Sequence, residues 1–600
     1  MSSRFRIRLV ISLLAIASVA LPARPQTSRG SVAGTVTDVS GAVVPDAAVE
    51  LTNKASVVKC ATTTNAVGIY RFDAVDLGLF DVKISKAGFN VFLELGISVE
   101  GNRTTTVDVK LQVGSNETVV KVNAETDELL LKDSPLRGGN FQSREVSRLP
   151  LRALNPISLA GTLPGAVLPS GSTTYGIGDQ ATQFAINGQR PRGNNYLLDG
   201  TDNNDLSFTG TAQPFNVADA VQEVSVQTSN FGTEFGRAGG AVFNVITKSG
   251  TNEFHGTILW QYGSQDFNSL SNLDKLNGSS PPGFSENVYG FTLGGPIRKN
   301  KTFFFAAFQQ DRFRSTGQFR FVLPTAEAVS SLRLLFPSNP RLDLYLNALG
   351  DLRSFSNPFS QALGADPVTG RDRGNVTFGT ANWLSPSTSD DSQWMLRLDH
   401  SWSQRHEISF RYLYDSRMDS PISGQVFTFP GYFGDASNRD QNFLVSDTYT
   451  AGDTLTNELR FSYARVAVDL QISSRAVAPA KSLPAIVIPP IDAPGIGGGL
   501  PQFQFANNWL LQETQSKLVG HHMFRYGFEF LWQLAKQLGA GFAGRGVIMY
   551  TASPGYSAFA NFLDDFSGPS GAIRRNFGNP VYYPDSFRQS YTGRTLDQDV

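Results

Sequence analysis

From Phe524 to Gln533 the chain alternates without a break. Phe524, Tyr526, Phe528, Phe530 and Trp532 take one parity, and Arg525, Gly527, Glu529, Leu531 and Gln533 take the other. Successive side chains of a strand point to opposite faces, so this run predicts a strand with one aromatic and one mostly polar face. The pattern recurs with Ile408, Phe410, Tyr412 and Tyr414 against Ser409, Arg411, Leu413 and Asp415, and with Leu459, Phe461 and Tyr463 against Arg460, Ser462 and Ala464. Thr302 to Phe313 is more continuously apolar, but Gln309 and Asp311 restore the alternation. A tilted strand needs about 9–11 residues to cross a bilayer core, and these runs are long enough. They predict a membrane barrel with a lipid face and a lumen face; a large soluble sandwich, the rival, more often has shorter strands.

Composition agrees with that reading. Charged residues are 17% and hydrophobic ones 40%, and 57 Gly, 44 Phe and 17 Tyr suit aromatic strands joined by glycine turns. No apolar run of about 18 residues follows the N-terminus, which argues against helical spans. With 51 basic against 52 acidic residues the net charge is -1, so no nucleic-acid partner is expected. Arg4, Arg6 and Arg8 precede an apolar run from Leu9 to Leu21, with Ser18 and Ala20 before a cleavage point; residues 1–20 read as a secretory signal peptide. Cys60 is the only cysteine, so neither an internal disulfide nor a lipid-modified N-terminal cysteine is available.

Residues 28–113 alternate over short runs separated by turn signals such as Ser40-Gly41 and Pro45-Asp46, which predicts a β-sandwich. Thr64-Asn65-Ala66-Val67-Gly68-Ile69-Tyr70-Arg71-Phe72, followed by Leu77-Gly78-Leu79-Phe80-Asp81-Val82 and Ala87-Gly88-Phe89, resembles the carboxypeptidase-regulatory-like domain. The resemblance implies a transthyretin-like sandwich related to carbohydrate-binding folds, and an accessory role rather than peptidase activity. Tyr70, Phe72 and Phe80 are expected in the core, with a sugar-stacking platform as the alternative. His255, His400, His406, His521 and His522 show no metal-ligand spacing, and neither metal nor cofactor is expected.

Residues 115–250 read as a small mixed α/β module. Glu117-Thr118-Val119-Val120-Lys121-Val122 is a short β-branched strand with an edge to offer, or else simply the module's first strand. Segments around 144–151 and 155–165 predict short helices with Leu149, Leu151, Leu154, Ile157, Leu159 and Leu163 as core. Strands end on turns at Ile186-Asn187-Gly188 and Leu198-Asp199-Gly200, and Val221 to Gln227 alternates as another strand. Asp199, Asp202 and Asp205 suggest calcium, but the spacing is not that of a calcium loop and a solvated turn is expected instead. Gly495-Ile496-Gly497-Gly498-Gly499 lacks the context of a phosphate cradle and reads as a loop.

The order of these pieces, closed by Gly239-Gly240-Ala241-Val242-Phe243-Asn244-Val245-Ile246-Thr247-Lys248-Ser249-Gly250, resembles the plug of TonB-dependent receptors. Leu149-Pro150-Leu151, Gly236-Arg237-Ala238-Gly239-Gly240 and Thr247 to Gly256 resemble the Oar-like branch in particular, over nearly the whole chain. The resemblance implies that Glu117, Thr118, Val119 and Val120 contact a TonB-type energy-coupling protein, and that Ile186, Gly188, Asp199 and Gly200 form plug turns. It also implies placement in the lipid of a Gram-negative outer membrane, with the N-terminal domain in the periplasm and ligand met by external loops around Tyr175 and Asp202.

Residues 254–600 then read as the N-terminal part of an Oar-like barrel. Intervals at Ser401 to Arg405 and Ala451 to Asp453 are short. Those at Thr325 to Gln393, Ser416 to Arg439 and Ala467 to Gln502 are long, with Ala326 to Phe336 and Leu342 to Leu349 as helical parts of a cap. Roughly ten candidate strands fall short of the 22 of a plugged transporter barrel, so the barrel is expected to be incomplete and the sequence a fragment. The expected function is transport, import or export, of a glycan, siderophore, peptide or protein, with no enzymatic step. The alternative is a surface adhesin or polysaccharide-binding protein anchored by the barrel.

Overall fold

The computed structural model describes residues 28–114, 119–123, 137–149, 151, 155–168, 183–205, 211–232, 235–270, 272–277, 283–349, 355–366, 369–421, 429, 431–477, 485–495, 500–538, 547–550, 552, 555–564, 573–576 and 596–599. The signal-peptide segment, Glu117, Thr118, Leu154 and Tyr175 lie outside them.

The first unit is a sandwich. Its strands are β1 (Gly30–Asp38), β2 (Ala48–Asn53), β3 (Lys59–Thr63), β4 (Ile69–Val75), β5 (Gly78–Ser85), β6 (Val91–Val99), β7 (Thr104–Thr106) and β8 (Val109–Leu111). One sheet runs β4-β1-β7 with β8 also on β1, and the other runs β3-β2-β5-β6. The alternate residues Val32, Val36, Tyr70, Phe72, Phe80, Val82 and Ile84 face inward and fill the space between them. Tyr70 satisfies its hydroxyl there by donating to the Val107 carbonyl at 2.9 Å. The three aromatics are core. A further strand, β9 (Val119–Asn123), joins the outer edge of the second sheet by pairing parallel with β6. The strand that sequence alone assigns to the central module thus sits on the sandwich.

The central module comprises β10 (Arg137–Gln142), β11 (Ala166–Val167), β12 (Ala185–Ile186), β13 (Asn195–Leu198), β14 (Thr201–Asp202), β15 (Val221–Ser229) and β16 (Val242–Thr247). Five of these form a sheet in the order β10-β15-β16-β13-β14. A helix over Ser143–Arg148 and a 3-10 turn over Pro156–Thr162 pack on it, with Val146, Ile157 and Leu159 buried. Leu149, expected in that core, is 44% exposed. It is the first residue past the helix and already has extended backbone, so its side chain leaves the buried stripe.

The last unit is an antiparallel meander. Its wall strands are β17 (His255–Ser264), β18 (Phe284–Arg298), β19 (Thr302–Pro324), β21 (Asn375–Ser403), β22 (His406–Ser420), β23 (Gly434–Ala451), β24 (Leu455–Ile472), β26 (Gln502–Val519) and β27 (His522–Leu538), with β30 (Leu596–Asp599) on β27 and β20 (Phe355–Ala362) on β21. The whole forms an 11-stranded sheet, and among the described residues no pairing joins its two ends.

Register turns the sequence alternation into two faces. Phe530, Leu511, Phe461, Val445, Phe410, Leu398 and Phe304 are paired one to the next across seven strands. The neighbouring row is Glu529, Gln512, Arg460, Ser446, Ser409, Asp399 and Phe303. The first row belongs to an exposed apolar belt in which Ile258 reaches 92% exposure; most of the second is buried or half-buried against the central module.

At the end away from the short turns the wall outgrows the bilayer, β21 reaching 29 residues. The long intervals read from sequence are therefore shorter than expected, because ladder pairing continues into them. There the helices Ala326–Leu335, Pro340–Leu349 and Ala558–Asp564 pack around Tyr345, whose ring lies 5.0 Å from Phe429 and 5.2 Å from Phe559. With the short sheet of β25 (Ala485–Val487), β28 (Val547–Tyr550) and β29 (Ile573–Asn576), they make an apolar-cored cap.

Candidate functional site

Two tight turns aim the central module. Leu198 pairs with Thr201 across Asp199 (φ 48°) and Gly200 (φ 74°), and Ile186 bridges Gln189 across Asn187 (φ 51°) and Gly188 (φ 77°). Positive φ at both central residues is the two-residue hairpin turn favoured by Asn-Gly and Asp-Gly. At Gly200 there is a second demand: a Cβ would come 2.4 Å from Arg460 Nη1, so any other residue here would push the end of that arginine aside. Ile186 is buried in the module's core, and Asn187 donates to the Thr228 carbonyl at 3.0 Å.

Asp199 is not solvated. It accepts the Thr247 amide at 2.8 Å and the Thr247 hydroxyl at 3.0 Å, and Arg411 of β22 reaches it at 2.7 Å. Arg411 is 2% exposed, among the largest fully buried side chains of the molecule. Alongside, Arg397 of β21 donates to the Thr247 carbonyl at 2.8 Å and is held by Asp399 at 3.0 Å; Asp399 in turn accepts the Ser249 hydroxyl at 2.7 Å. The end of β16 and the Asp199 hairpin are thus pinned to two wall strands by charge-assisted hydrogen bonds. Removing one member of such a buried pair strands the other, at about 3–5 kcal/mol.

The other two aspartates diverge. Asp202 is buried, accepting from Asn508 of β26 at 3.3 Å and pairing with Arg237 at 3.1 Å, while Asp205 accepts from Gln504 at 3.4 Å. The expected solvated turn is corrected here, as is the placing of Asp202 on an external ligand face: each carboxylate faces the wall. Among the described residues no group of His, Cys, Asp and Glu is arranged to hold a metal ion.

The sandwich closes the end of the wall that carries the short turns. Arg29 spans Asp76 at 3.3 Å and Glu407 of β22 at 3.0 Å; Thr63 donates to Asp453 at 2.8 Å, and Asn65 to the Gly520 carbonyl at 3.0 Å. Asn252, at the entry to the wall, donates to the Ser56 carbonyl. Where the three units meet there is a cavity of about 270 Å³, bordered by Arg29, Asp76, Asp199, Arg397 and Glu407. Beside it Glu223 of β15 accepts the Gly101 amide at 3.0 Å, Asn140 at 2.9 Å and Gln142 at 2.9 Å. Burial, reinforced by Glu100, raises the Glu223 carboxyl to about 7 against the pull of these donors. Glu100 is itself paired with Arg103 at 2.6 Å.

Of the residues nominated from sequence, Ile186, Gly188, Asp199 and Gly200 fall on the two hairpin turns, and Val119 and Val120 fall in β9. Arg29, Arg397, Asp399, Arg411, Glu407 and Glu223 were not nominated. Their signal was available for the wall strands: charged residues on the polar parity of a membrane strand need an internal partner.

Comparison with known proteins agrees. The model of the outer membrane beta barrel domain matches residues 246–591, and that of the carboxypeptidase regulatory-like domain matches residues 31–112. The chain is 30% identical over 268 residues to the TonB-dependent transporter Oar of Myxococcus xanthus, a match covering 41% of this chain and 23% of that protein. Among solved structures it is similar to the outer membrane transporter YddB of Escherichia coli, with 15% identity, TM-score 0.44, and coverage of 68% of this chain and 49% of that one. It is also similar to a variant of the ferric enterobactin receptor PfeA of Pseudomonas aeruginosa, with 13% identity, TM-score 0.40, and coverage of 68% and 50%. The chain thus spans about half the length of those structures and less than a quarter of the curated relative. The chain belongs to the outer membrane beta barrel domain family and so to the Gram-negative outer membrane, and it is similar to the TonB-dependent transporter Oar.

Proposed function

We propose that the chain carries the gate of a transporter whose central module is a plug, moved by a TonB-type protein acting on Glu117–Val122 from the periplasm. The observation that carries this is the seating of the plug. Asp199, Thr247 and Ser249 meet Arg411, Arg397 and Asp399 through hydrogen bonds and ion pairs, beside an apolar core that the plug shares with Phe305, Ala307, Met395 and Leu413 of the wall. Polar contacts of this kind re-form after displacement, and hydration of the freed groups offsets part of the cost of breaking them. In this reading the sandwich and the short turns lie in the periplasm, the cap faces outward, and the chain makes or breaks no bond of its ligand. The test is deletion of Glu117–Val122 in the full-length protein. Energy-dependent uptake is lost while surface binding of ligand persists; unchanged uptake overturns the coupling role.

A further inference from the structure

The outward face of the wall treats its two rims differently. Beside the short turns its charges have partners in the chain: Asp447 pairs with His406 at 2.6 Å, Glu513 accepts from Asn457 at 2.7 Å, and Lys517 donates to the Thr454 hydroxyl at 2.7 Å. Toward the cap, Arg439 of β23 and Arg465 of β24 are exposed, and among the described residues neither has a carboxylate partner. Arg465 stands opposite Gln441, which makes Arg439 its diagonal neighbour, at about 7–8 Å. Asp469, the outward acid closest to them in register, is engaged by Gln471.

Their height is that of a membrane interface. Arg465 lies ten residues beyond Leu455, the first of β24, which at a tilt of about 40° is about 25 Å up, the top of an apolar band of about that height. Directly below, Tyr412, Phe443, Tyr463, Trp509 and Trp532 are paired one to the next across five strands. Phe443, Tyr463 and Trp509 form a continuous patch, with ring centres 5.9 Å and 4.3 Å apart. The Tyr463 hydroxyl donates to Asn507, which stands opposite Arg465, at 2.7 Å.

A guanidinium at the lipid interface is tolerated at small cost, and an anion beside it turns that cost into a gain. Two arginines on adjacent strands are long enough to converge on one phosphate, while the aromatic row beneath them offers an apolar floor. We propose that Arg439 and Arg465 bind the phosphate of an anionic lipid of the outer leaflet, whose acyl chains lie along Phe443, Tyr463 and Trp509. Charge complementarity argues the occupant: two positive charges unanswered by the protein, set over an apolar patch, fit an anionic head with hydrocarbon tails. A soluble anion meets only the upper half of this site, and a zwitterionic lipid brings its own cation to the arginines.

The outer-leaflet assignment rests on the orientation proposed above, with the cap outside, and the experiment separates the two. Full-length protein in detergent is titrated with lipid A carrying both its phosphates, with phosphatidylcholine and with inorganic phosphate, and bound ligand is read by native mass spectrometry. Lipid A binds roughly tenfold or more tighter than either of the others. Arg439→Gln with Arg465→Gln weakens its binding roughly tenfold, and Arg439→Lys with Arg465→Lys keeps most of it because the charge remains. Arg312→Gln, on the outward face of β19 over Tyr289, leaves it unchanged. Undiminished binding by the glutamine pair, an equal loss in Arg312→Gln, or phosphatidylcholine or phosphate binding as tightly as lipid A overturns the proposal. Orientation is read independently from Ser331→Cys in a Cys60→Ser background: a membrane-impermeant maleimide labels it on intact cells when the cap is outside. Absence of label overturns the orientation, and with it the leaflet, whatever the result in detergent.

Discussion

The sandwich and the wall use the same period-two code and read it in opposite directions. In β4 and β5, Tyr70, Phe72, Phe80 and Val82 turn their apolar parity toward each other, and the other parity is half-buried or exposed. In β24, Leu459 and Phe461 turn outward, and Arg460 and Ser462 are buried against the interior. Alternation therefore fixes which residues share a face and leaves open which face is inside. The surroundings decide: a short strand finds a second sheet to cover its apolar side, whereas a long one in a single-layered wall has only lipid to offer it.

The contrast can be broken most severely by placing charge on the apolar parity of the sandwich. Val82→Lys puts an ammonium among fully buried residues and costs about 4 kcal/mol or more, which appears as loss of hydrogen-exchange protection across β1–β8. Leu79→Lys, on a residue 52% exposed in the same strand, stays within about 0.5 kcal/mol. In the wall the sensitive parity is the polar one. Arg411→Ala leaves Asp199 buried without its cation, costs about 3–5 kcal/mol of plug seating, and is read as faster proteolysis of residues 183–250 in the folded barrel.

A charge on the wall's outer parity has a smaller effect. Phe461→Arg costs about 2–4 kcal/mol near mid-bilayer, measured by denaturant unfolding in lipid, and the same substitution is nearly silent if that face lies in water. Gly200→Ala sharpens the comparison at the turn: left-handed backbone and the approach of Arg460 together cost about 1–2 kcal/mol, seen as a lower melting temperature. The smallest effect is a slope. Because the Glu223 carboxyl is raised from 4.5 to about 7, the native state binds the extra proton between those values. The contact between sandwich and plug therefore weakens as pH rises through that window and is level above it. Glu223→Gln flattens the profile, followed by exchange of the Gly101 amide.

Much of this was legible in the residues. The aromatic rows gave the wall, Asn187-Gly188 and Asp199-Gly200 gave the hairpin turns, and the helical spacing in 326–349 gave the cap. Three things were not. Pairing of β9 with β6 is a contact between strands whose partners are chosen in space, and a short β-branched run suits either unit. The burial of Asp199 and Asp202 depends on Arg411, Arg237 and Asn508, which lie far along the chain. The length of β21 depends on ladder pairing with β19 and β20 beyond the bilayer, where no lipid-facing pattern marks it.

The central claim is that the wall's apolar parity faces lipid and its polar parity faces the plug. It is tested most directly by nitroxide labels placed one at a time from Leu459 to Ala464, in a Cys60→Ser background reconstituted in bilayers. The account predicts strong relaxation by oxygen at 459, 461 and 463, and weak relaxation by both oxygen and a water-soluble nickel complex at 460, 462 and 464. Equal access of the nickel complex to both parities, or oxygen contact at 460 and 462 instead, would contradict it.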